Sequence, residues 1–594
     1  MTYRPQINDL RHMLNEITPF NEHLEAGTFE GLDADLVNAV LDEAGKFAAD
    51  ILAPVNGPGD VKGCTLNKDT NDVAMPQEFV SAYNQWAEGG WPSLTCPAEF
   101  DGQGLPITVG LAVQEIWNTA SMSFGIGTLL TQGAVEAIEA HGSDELKRKY
   151  LKNMVSGHWT GTMNLTEPQA GSDLAALRSK AERADDGTYR ISGTKIFITH
   201  GEHDMTENII HLVLARLPDA PEGTRGISLF LVPKFLVNED GSLGERNDVK
   251  CIGLEEKMGL HASPTCVMRY GDEGGAIGWL IGEENKGLNC MFTMMNNARL
   301  HVGMQGVAIA ERAFQHALDY AQDRKQGRRP GTEGMVPIIE HPDVRRMLFS
   351  MKAKTSAARA ICFQTALALD LAVHGKDDET RARNAALGAL LTPVNKAYAT
   401  DIGVEVASTG IQVFGGMGFI EETGAAQHLR DARIAPIYEG TNGIQAIDLA
   451  VRKLPLGNGE VVMGVISELK DIADEVMQAN DDSLGRMGYR LSAALEELEE
   501  ATEWMLQALA QDTDQALSSA TPYLELFGVT AGGCWLAKGA LACLRGEASA
   551  QSSAHVQTAR FFAENEMPRA RALSSIVRGS ADMITNINPE ALSA

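Results

Sequence analysis

The spacing of apolar residues divides the chain into four stretches. From Asp9 to about Lys152, apolar positions recur every three or four residues, which predicts a series of helices. Two segments rich in Gly and Pro, residues 53–59 and 102–106, interrupt this pattern and are interpreted as linkers. We therefore predict a helical N-terminal domain over residues 1–155.

The pattern changes near Trp159. Residues 189–199 alternate apolar and polar side chains, and residues 209–215 and 227–232 form short β-rich runs bounded by Gly and Pro. No helical pattern separates these runs. The sequence therefore predicts a small antiparallel β domain over residues 156–284.

Long helical patterns return from Leu288 onward, and Leu391 and Val394 belong to one of several apolar faces rich in Ala and Leu. They predict a helical bundle over residues 285–453. Further apolar stripes predict an additional C-terminal helical domain over residues 460–594. The fold class is thus mostly α with a small central β domain.

Composition narrows the class of protein. The chain is 44% hydrophobic and 22% charged, as in soluble globular proteins. Its 594 residues are too many for a single hydrophobic core, so several domains are expected. The net charge of -29 argues against electrostatic binding to nucleic acid or an anionic membrane. We find no apolar run approaching the ~18 residues of a spanning helix and no targeting segment, so we expect a cytoplasmic protein. Eight scattered cysteines without a C-x-x-C pair predict reduced thiols and no metal site.

One acidic residue gives the clearest chemical signal. Glu439 lies between Tyr438 and Gly440, so a carboxylate follows an aromatic ring and precedes a flexible backbone position. A carboxylate shielded from water has its pKa raised toward the pH at which it can accept a proton from carbon. Glu439 is therefore a candidate general base. Taken alone, the Tyr-Glu-Gly stretch favours an exposed Glu at a turn, because acids with perturbed pKa values are a small minority.

Two further motifs accompany the sequence Tyr-Glu-Gly-Thr at residues 438–441. They are Gln-x-x-Gly-Gly-x-Gly-Phe at 412–419, followed by Arg430-Asp431, and Leu-Thr-Glu-Pro-Gln-Ala-Gly-Ser-Asp at 165–173. Three ordered motifs are a specific signal, and together they resemble the acyl-CoA dehydrogenase family. The resemblance implies FAD-dependent α,β-dehydrogenation of an acyl-CoA thioester, with electrons passed to electron-transfer flavoprotein.

The resemblance also implies roles for individual residues. Glu439 would be the catalytic base. The positions expected to bind FAD are Leu165, Thr166, Gly171, Ser172, Phe197, Thr199, Arg324, Gln412, Gly416 and Thr441. The positions expected to bind substrate are Ser172, Arg299, Tyr438 and Gly440. Arg324, Gln412 and Gly416 match contacts with the FAD of a neighbouring subunit, which implies a homodimer.

The chain departs from the family pattern at several positions. Phe197 stands where the family commonly has Trp, so the ring is kept and the indole N–H is lost. Asn164 replaces a small or apolar residue, which we interpret as a change in packing rather than in function. A buried Arg299 would need an acidic partner, for which Glu115 is a candidate.

Three segments resemble the large bacterial members of the family: residues 270–282, residues 331–337 and the C-terminal block. Dehydrogenases of 3-(methylthio)propanoyl-CoA and broad-range fatty acyl-CoA dehydrogenases share these segments; we take 3-(methylthio)propanoyl-CoA as the expected substrate and broad-range fatty acyl-CoAs as the alternative. An acyl-CoA oxidase would share the base and the flavin but consume oxygen. A non-catalytic DNA-binding flavoprotein is disfavoured, because residues 461–594 carry a net charge of -10.

Overall fold

A computed structural model of the chain describes residues 3–546 and 549–593. The chain forms two compact units. The first comprises Met1–Lys46, Ile107–Thr119 and Arg299–Ala594, and the second comprises Phe47–Pro106 and Ala120–Ala298.

Helices account for most of the described residues. In chain order the α-helices are α1 (Ile7–His12), α2 (Phe20–Glu25), α3 (Ala34–Phe47), α4 (Ala53–Lys62), α5 (Gln77–Glu88), α6 (Ile107–Ala120), α7 (Met122–His141), α8 (Asp144–Leu146), α9 (Lys152–Val155), α10 (Gly287–Asp323), α11 (Pro342–His374), α12 (Asp378–Phe414), α13 (Ala425–Ala432), α14 (Asn442–Asp448), α15 (Glu460–Ala479), α16 (Met487–Gln511), α17 (Thr513–Arg545), α18 (Ala550–Asn565), α19 (Arg569–Gly579) and α20 (Ala581–Asn586).

The strands belong to the second unit. They are β1 (Thr65–Leu66), β2 (Val73–Ala74), β3 (Trp159–Asn164), β4 (Lys180–Arg183), β5 (Tyr189–Thr199), β6 (Asn208–Ala215), β7 (Ser228–Pro233), β8 (Phe235–Val237), β9 (Leu243–Arg246), β10 (Val249–Leu254), β11 (Thr265–Tyr270) and β12 (Ala276–Ile281). The main sheet has the order β10-β11-β5-β12-β7-β6-β3, with β4 paired to β5.

The three runs predicted from sequence correspond to β5, β6 and β7. The pairs of the main sheet are antiparallel except that β3 runs parallel to β6. The two faces of β6 and β7 pack into two different hydrophobic cores, so successive residues alternate between them. Leu212 and Leu231 pack with residues of α7, whereas Val213 and Phe230 pack with Ile198 of β5. Both strands are therefore buried on both faces.

One predicted linker is helical. Residues 53–59 lie inside α4, so the prediction of an irregular segment there was wrong. Pro54 lies in the first turn of α4, which continues directly from a π-helical turn at Ala48–Leu52. Pro58 removes one helical hydrogen bond without ending the helix, which continues to Lys62.

The first unit is a bundle of long helices. The predicted additional helices α15 to α19 are present, and α17 packs against α11, α12 and α14 within the same unit. Two helices, α11 and α17, contain 18-residue windows with a mean hydropathy of 1.3, which the sequence analysis did not anticipate. These windows are 72% and 83% buried within the protein, as the core helices of a soluble protein are.

Candidate active site

The loop between α13 and α14 carries Glu439. Its φ is +54° and that of Gly440 is +82°, so two consecutive residues adopt the left-handed conformation. For a residue other than glycine this conformation costs about 1 kcal/mol or more, so surrounding contacts must hold it. Gln445 of α14 donates through Nε2 to the carbonyl oxygens of Glu439 (3.3 Å) and Gly440 (3.2 Å). Lys396 of α12 donates through Nζ to the same Gly440 oxygen at 2.9 Å.

The carboxyl group of Glu439 has a raised pKa. Burial disfavours its charged form and is the dominant cause, whereas the positive charges of Arg299 and Lys396 act in the opposite direction. A raised carboxyl pKa is what a general base needs if it is to accept a proton near neutral pH. The environment of Glu439 is therefore compatible with the role predicted from sequence.

Arg299 lies on α10 and is nearly buried, with 8% of its surface exposed. Its Nη1 is 4.0 Å from Oδ2 of Asp448 on α14. Glu115, the partner predicted from sequence, instead pairs with Arg359 at 2.8 Å. That prediction was wrong, because Glu115 of α6 lies in a buried cluster with Arg359 and Glu311.

Tyr438 and Thr441 flank the base on the same loop. The hydroxyl of Tyr438 donates a hydrogen bond to Oε1 of Gln305 on α10, which fixes the ring beside the carboxylate. The hydroxyl oxygen of Thr441 accepts from the N–H of Ile444 at 3.2 Å and so caps α14. The structure thus brings Arg299, Tyr438, Glu439, Gly440 and Thr441 to one place in the first unit.

Arg324, Gln412 and Gly416 lie at an exposed end of the bundle. The rings of Tyr320 and Phe414 stack with centroids 4.1 Å apart, which places the C-terminal end of α10 beside that of α12. Arg324 follows the first helix and Gln412 belongs to the last turn of the second.

The remaining expected FAD positions lie on two adjoining segments of the second unit. Leu165, Thr166, Gly171 and Ser172 follow β3, while Phe197 and Thr199 belong to the end of β5. The N–H of Ile196 donates to the carbonyl of Thr166 at 3.0 Å. The Thr162 hydroxyl donates to the carbonyl of Thr199 at 2.7 Å. These bonds fix the loop after β3 beside the end of β5.

Phe197 has the clearest signature of a ligand-binding residue in this unit. It has a φ of +59°, and its side chain is 59% exposed although it is a large apolar ring. It lies at a β-bulge, where residues 196 and 197 stand opposite the single residue Val267. Bulges re-aim side chains and are common beside active sites. A strained backbone that holds out an aromatic ring fits a planar ligand such as a flavin.

The polar groups around Phe197 also fit FAD. Gly171 is exposed, and no atom lies within 4 Å of the position that a Cβ would take there, so the backbone can be approached closely. Thr166, Ser172 and Thr199 add hydroxyl groups that can donate hydrogen bonds. Within these two segments the donor set therefore suits a flavin and its pyrophosphate.

Sequence reasoning missed the ion pair that anchors the loop after β3. Lys195 is fully buried and Glu167 is 3% exposed, and Nζ of Lys195 lies 2.9 Å from Oε1 of Glu167. Lys195 also donates to the carbonyl of Leu165 at 3.0 Å. The signal in the sequence was the alternation of β5, which places Lys195 on the same inward-facing side as Ile191.

The departure at Asn164 is accommodated by buried hydrogen bonds. Tyr270 donates through its hydroxyl to Oδ1 of Asn164 at 2.8 Å, and Asn164 Nδ2 lies 3.3 Å from His211 Nδ1. All three side chains are buried. The amide is therefore packed into the interior of the sheet.

Family models match nearly the whole chain. They are the acyl-CoA dehydrogenase N-terminal domain at residues 37–158, the middle domain at 162–272 and the C-terminal domain at 285–454. An acetyl-CoA dehydrogenase C-terminal-like domain matches residues 465–588. The fold and these matches define a flavin-dependent dehydrogenase acting on CoA thioesters.

Individual relatives lead to the same assignment. The chain is 45% identical to 3-methylmercaptopropionyl-CoA dehydrogenase of Ruegeria pomeroyi over 98% of its length and 99% of that protein. It is 35% identical to the broad-specificity linear acyl-CoA dehydrogenase FadE5 of Mycobacterium tuberculosis, covering 80% and 78% of the two chains. An acyl-CoA dehydrogenase from Bacillus anthracis, solved in complex with FAD, shares the fold with a TM-score of 0.74, 21% identity and coverage of 95% and 90%.

The chain belongs to the acyl-CoA dehydrogenase family, as the sequence motifs predicted. It is an acyl-CoA dehydrogenase, and FAD is its cofactor.

Proposed function

We propose that this acyl-CoA dehydrogenase converts 3-(methylthio)propanoyl-CoA to the corresponding trans-2-enoyl thioester, with Glu439 as the catalytic base. The observation that supports the site is the partly buried carboxyl group of Glu439, whose pKa is raised and which lies on a strained loop beside Arg299 and Tyr438. Support for the substrate comes from the full-length similarity to 3-methylmercaptopropionyl-CoA dehydrogenase, which includes the C-terminal extension.

In this scheme the carboxylate of Glu439 accepts the proton from the α carbon of the thioester. FAD, when bound, supplies an acceptor for the hydride that leaves the β carbon. The backbone N–H of Glu439 donates to the thioester oxygen, where negative charge develops as the proton leaves. Burial raises the pKa of the carboxyl group toward the working range.

The FAD positions remain those assigned from sequence. Phe197 would lie against the ring system, and Thr199 would donate to it. Thr166, Gly171 and Ser172 would hold the pyrophosphate, with Leu165 and Thr441 completing the contacts. Arg324, Gln412 and Gly416 lie on an exposed surface, which suits their assignment to the FAD of a second subunit in a homodimer. Electron-transfer flavoprotein is the acceptor we assign, in a cytoplasmic setting.

The base is tested by dye-coupled turnover of wild type and Glu439→Gln, both loaded with FAD. Glutamine keeps the size of the side chain and cannot accept the proton, so turnover should fall to near background while the flavin content is unchanged. Glu422→Gln on an exposed turn is the matched control and should turn over like wild type. Comparable rates for Glu439→Gln and wild type would show that the base lies elsewhere.

The substrate is tested by kcat/KM on a panel of acyl-CoAs. Pentanoyl-CoA is the informative comparison, because it replaces the sulfur of 3-(methylthio)propanoyl-CoA by a methylene group and keeps the chain length. We expect the sulfur-containing thioester to have the highest kcat/KM. A higher value for octanoyl-CoA or longer chains would favour the alternative, a broad-range fatty acyl-CoA dehydrogenase, which the similarity to FadE5 supports.

The acceptor is tested in the same preparation. Reduced enzyme should be reoxidised by electron-transfer flavoprotein and should consume little oxygen in its absence. Rapid oxygen consumption without another acceptor would instead indicate an acyl-CoA oxidase.

A further inference from the structure

Lys396 of α12 is a buried cation to which the proposed mechanism assigns no role. Its side chain is fully buried. The Nζ atom donates to the carbonyl oxygen of Gly440 and to Oδ1 of Asn442, both at 2.9 Å. Neither acceptor is charged. Because a buried ammonium group is costly when its hydrogen-bond partners are neutral, its position needs a reason beyond packing.

The two acceptors of Lys396 belong to the loop that carries the proposed base. Gly440 directly follows Glu439, and both have positive φ. Asn442 is itself tied to α12, because its Nδ2 donates to the carbonyl of Ala397 at 3.1 Å and to Oδ1 of Asp401 at 2.8 Å. Lys396 thus connects the strained loop to a stretch of α12, residues 390–400, in which every residue is buried.

Gln445, the other side chain that donates to this loop, makes weaker hydrogen bonds than Lys396. Gln445 reaches the carbonyl oxygens of Glu439 and Gly440 at 3.3 and 3.2 Å, which are longer bonds from a neutral amide. Bonds from a charged donor are shorter and roughly twice as strong as neutral ones. Of the two side chains that donate to the Gly440 oxygen, Lys396 therefore makes the stronger contact.

Lys396 also acts on the charge of the base. Burial lowers the pKa of Lys396 to about 7, and the negative charges of Glu439 and Asp401 oppose that shift, so Lys396 carries its positive charge on the acidic side of neutrality. Arg299 is the other cation that stabilises the Glu439 carboxylate. The negative charge of Asp448 raises the pKa of Arg299, and the positive charge of Arg452 lowers it. The carboxylate thus faces two cations, one from α10 and one from α12.

We infer that Lys396 is a positioning residue for the dehydrogenation: through the Gly440 carbonyl oxygen it holds Gly440, the residue next to the base, in its left-handed conformation, and it places a positive charge beside the base. The inference rests on the proposed role of Glu439. Without Lys396, the carboxylate would be less accurately placed and would ionise only at higher pH.

The test compares FAD-loaded Lys396→Met and Lys396→Gln with wild type. Lys396→Met removes the donor and the charge, so kcat should fall about a hundredfold, the loss typical of a reacting group displaced by about 1 Å. The acidic limb of the pH profile of kcat/KM should move to higher pH, because the Glu439 carboxylate has lost a stabilising cation. Lys396→Gln can still donate to the Gly440 oxygen but carries no charge. Its kcat should therefore lie between those of Lys396→Met and wild type, while its acidic limb should be displaced to higher pH as far as that of Lys396→Met.

Lys354→Met is the matched control. Lys354 is another buried lysine, on α11, whose Nζ lies 2.5 Å from Glu405 and 3.1 Å from Glu566. Lys354→Met should lower the thermal stability but leave the acidic limb of the pH profile of kcat/KM unchanged, because its effect is purely structural.

The possible results separate the inference from the proposed function. A wild-type rate for Glu439→Gln would remove the proposed base and the inference with it. An inactive Glu439→Gln together with an unshifted acidic limb in either Lys396 variant would overturn only the inference. If Lys396→Met does not retain FAD, the acidic limb of Lys396→Gln decides the question alone.

Discussion

Replacing Lys195 by Met tests how the loop after β3 is held. Lys195 is fully buried, and its Nζ lies 2.9 Å from Oε1 of Glu167. Burial alone would raise the pKa of Glu167, but the charge of Lys195 and hydrogen bonds from Ser179 and Arg178 outweigh it and lower the pKa to about 2. Removal of Lys195 therefore leaves an ionised carboxylate buried without its counter-ion.

The expected cost of Lys195→Met is about 3–5 kcal/mol, the range for breaking a buried ion pair by removing one partner. For a unit of this size such a loss corresponds to a decrease in Tm of roughly 10 °C. FAD retention should fall as well, because Lys195 and Glu167 fix Leu165 and the residues that follow it. Thermal unfolding by circular dichroism, with flavin content after gel filtration, measures both effects.

The double variant Glu167→Gln/Lys195→Met is the control for the charge. It buries no ion, so it should be more stable than Lys195→Met alone. The reasoning fails if Lys195→Met unfolds at the wild-type temperature, or if the double variant is less stable than the single one.

Two further predictions concern the same unit. Because the pKa of Glu167 is depressed from 4.5 to about 2 in the folded protein, Glu167 contributes stability that is present above pH 4.5 and is lost as the pH falls toward 2. Acid unfolding of Glu167→Gln should lack this component, and an identical acid transition would contradict the assignment. Phe197→Gly should relieve the backbone strain at a φ of +59°, worth about 1 kcal/mol, so the FAD-free protein should become more stable. The same change removes the aromatic ring, so FAD should bind more weakly. Calorimetry without FAD and flavin titration measure the two effects, and unchanged FAD affinity would argue against a stacking role for this ring.

The parts of the fold that could be predicted are those that a local pattern determines. The alternation of residues 189–199 predicts β5 with the bounds that the structure shows, because a strand with one apolar face repeats every two residues. Periodicity likewise predicts the helices beyond residue 460. The parallel pairing of β3 with β6 was not predictable, because strands buried on both faces lose the alternation that would orient them.

The candidate site shows the same limit. Glu439 could be predicted as the base because three ordered motifs, each a local run of residues, occur together in the sequence. Lys396 could not, since its acceptor on Gly440 is 44 residues away, and the sequence shows only a lysine within an apolar helix. The pairing of Arg299 with Asp448 rather than Glu115 depends on which helix faces which, and periodicity alone does not specify that choice.

Anaerobic mixing of FAD-loaded enzyme with excess 3-(methylthio)propanoyl-CoA tests the central claim most directly, because the bleaching of the flavin colour reports the chemical step without any external acceptor. We predict rapid bleaching for wild type and for Glu422→Gln, and none on the same time scale for Glu439→Gln. Bleaching of Glu439→Gln at the wild-type rate would contradict the assignment of Glu439 as the base.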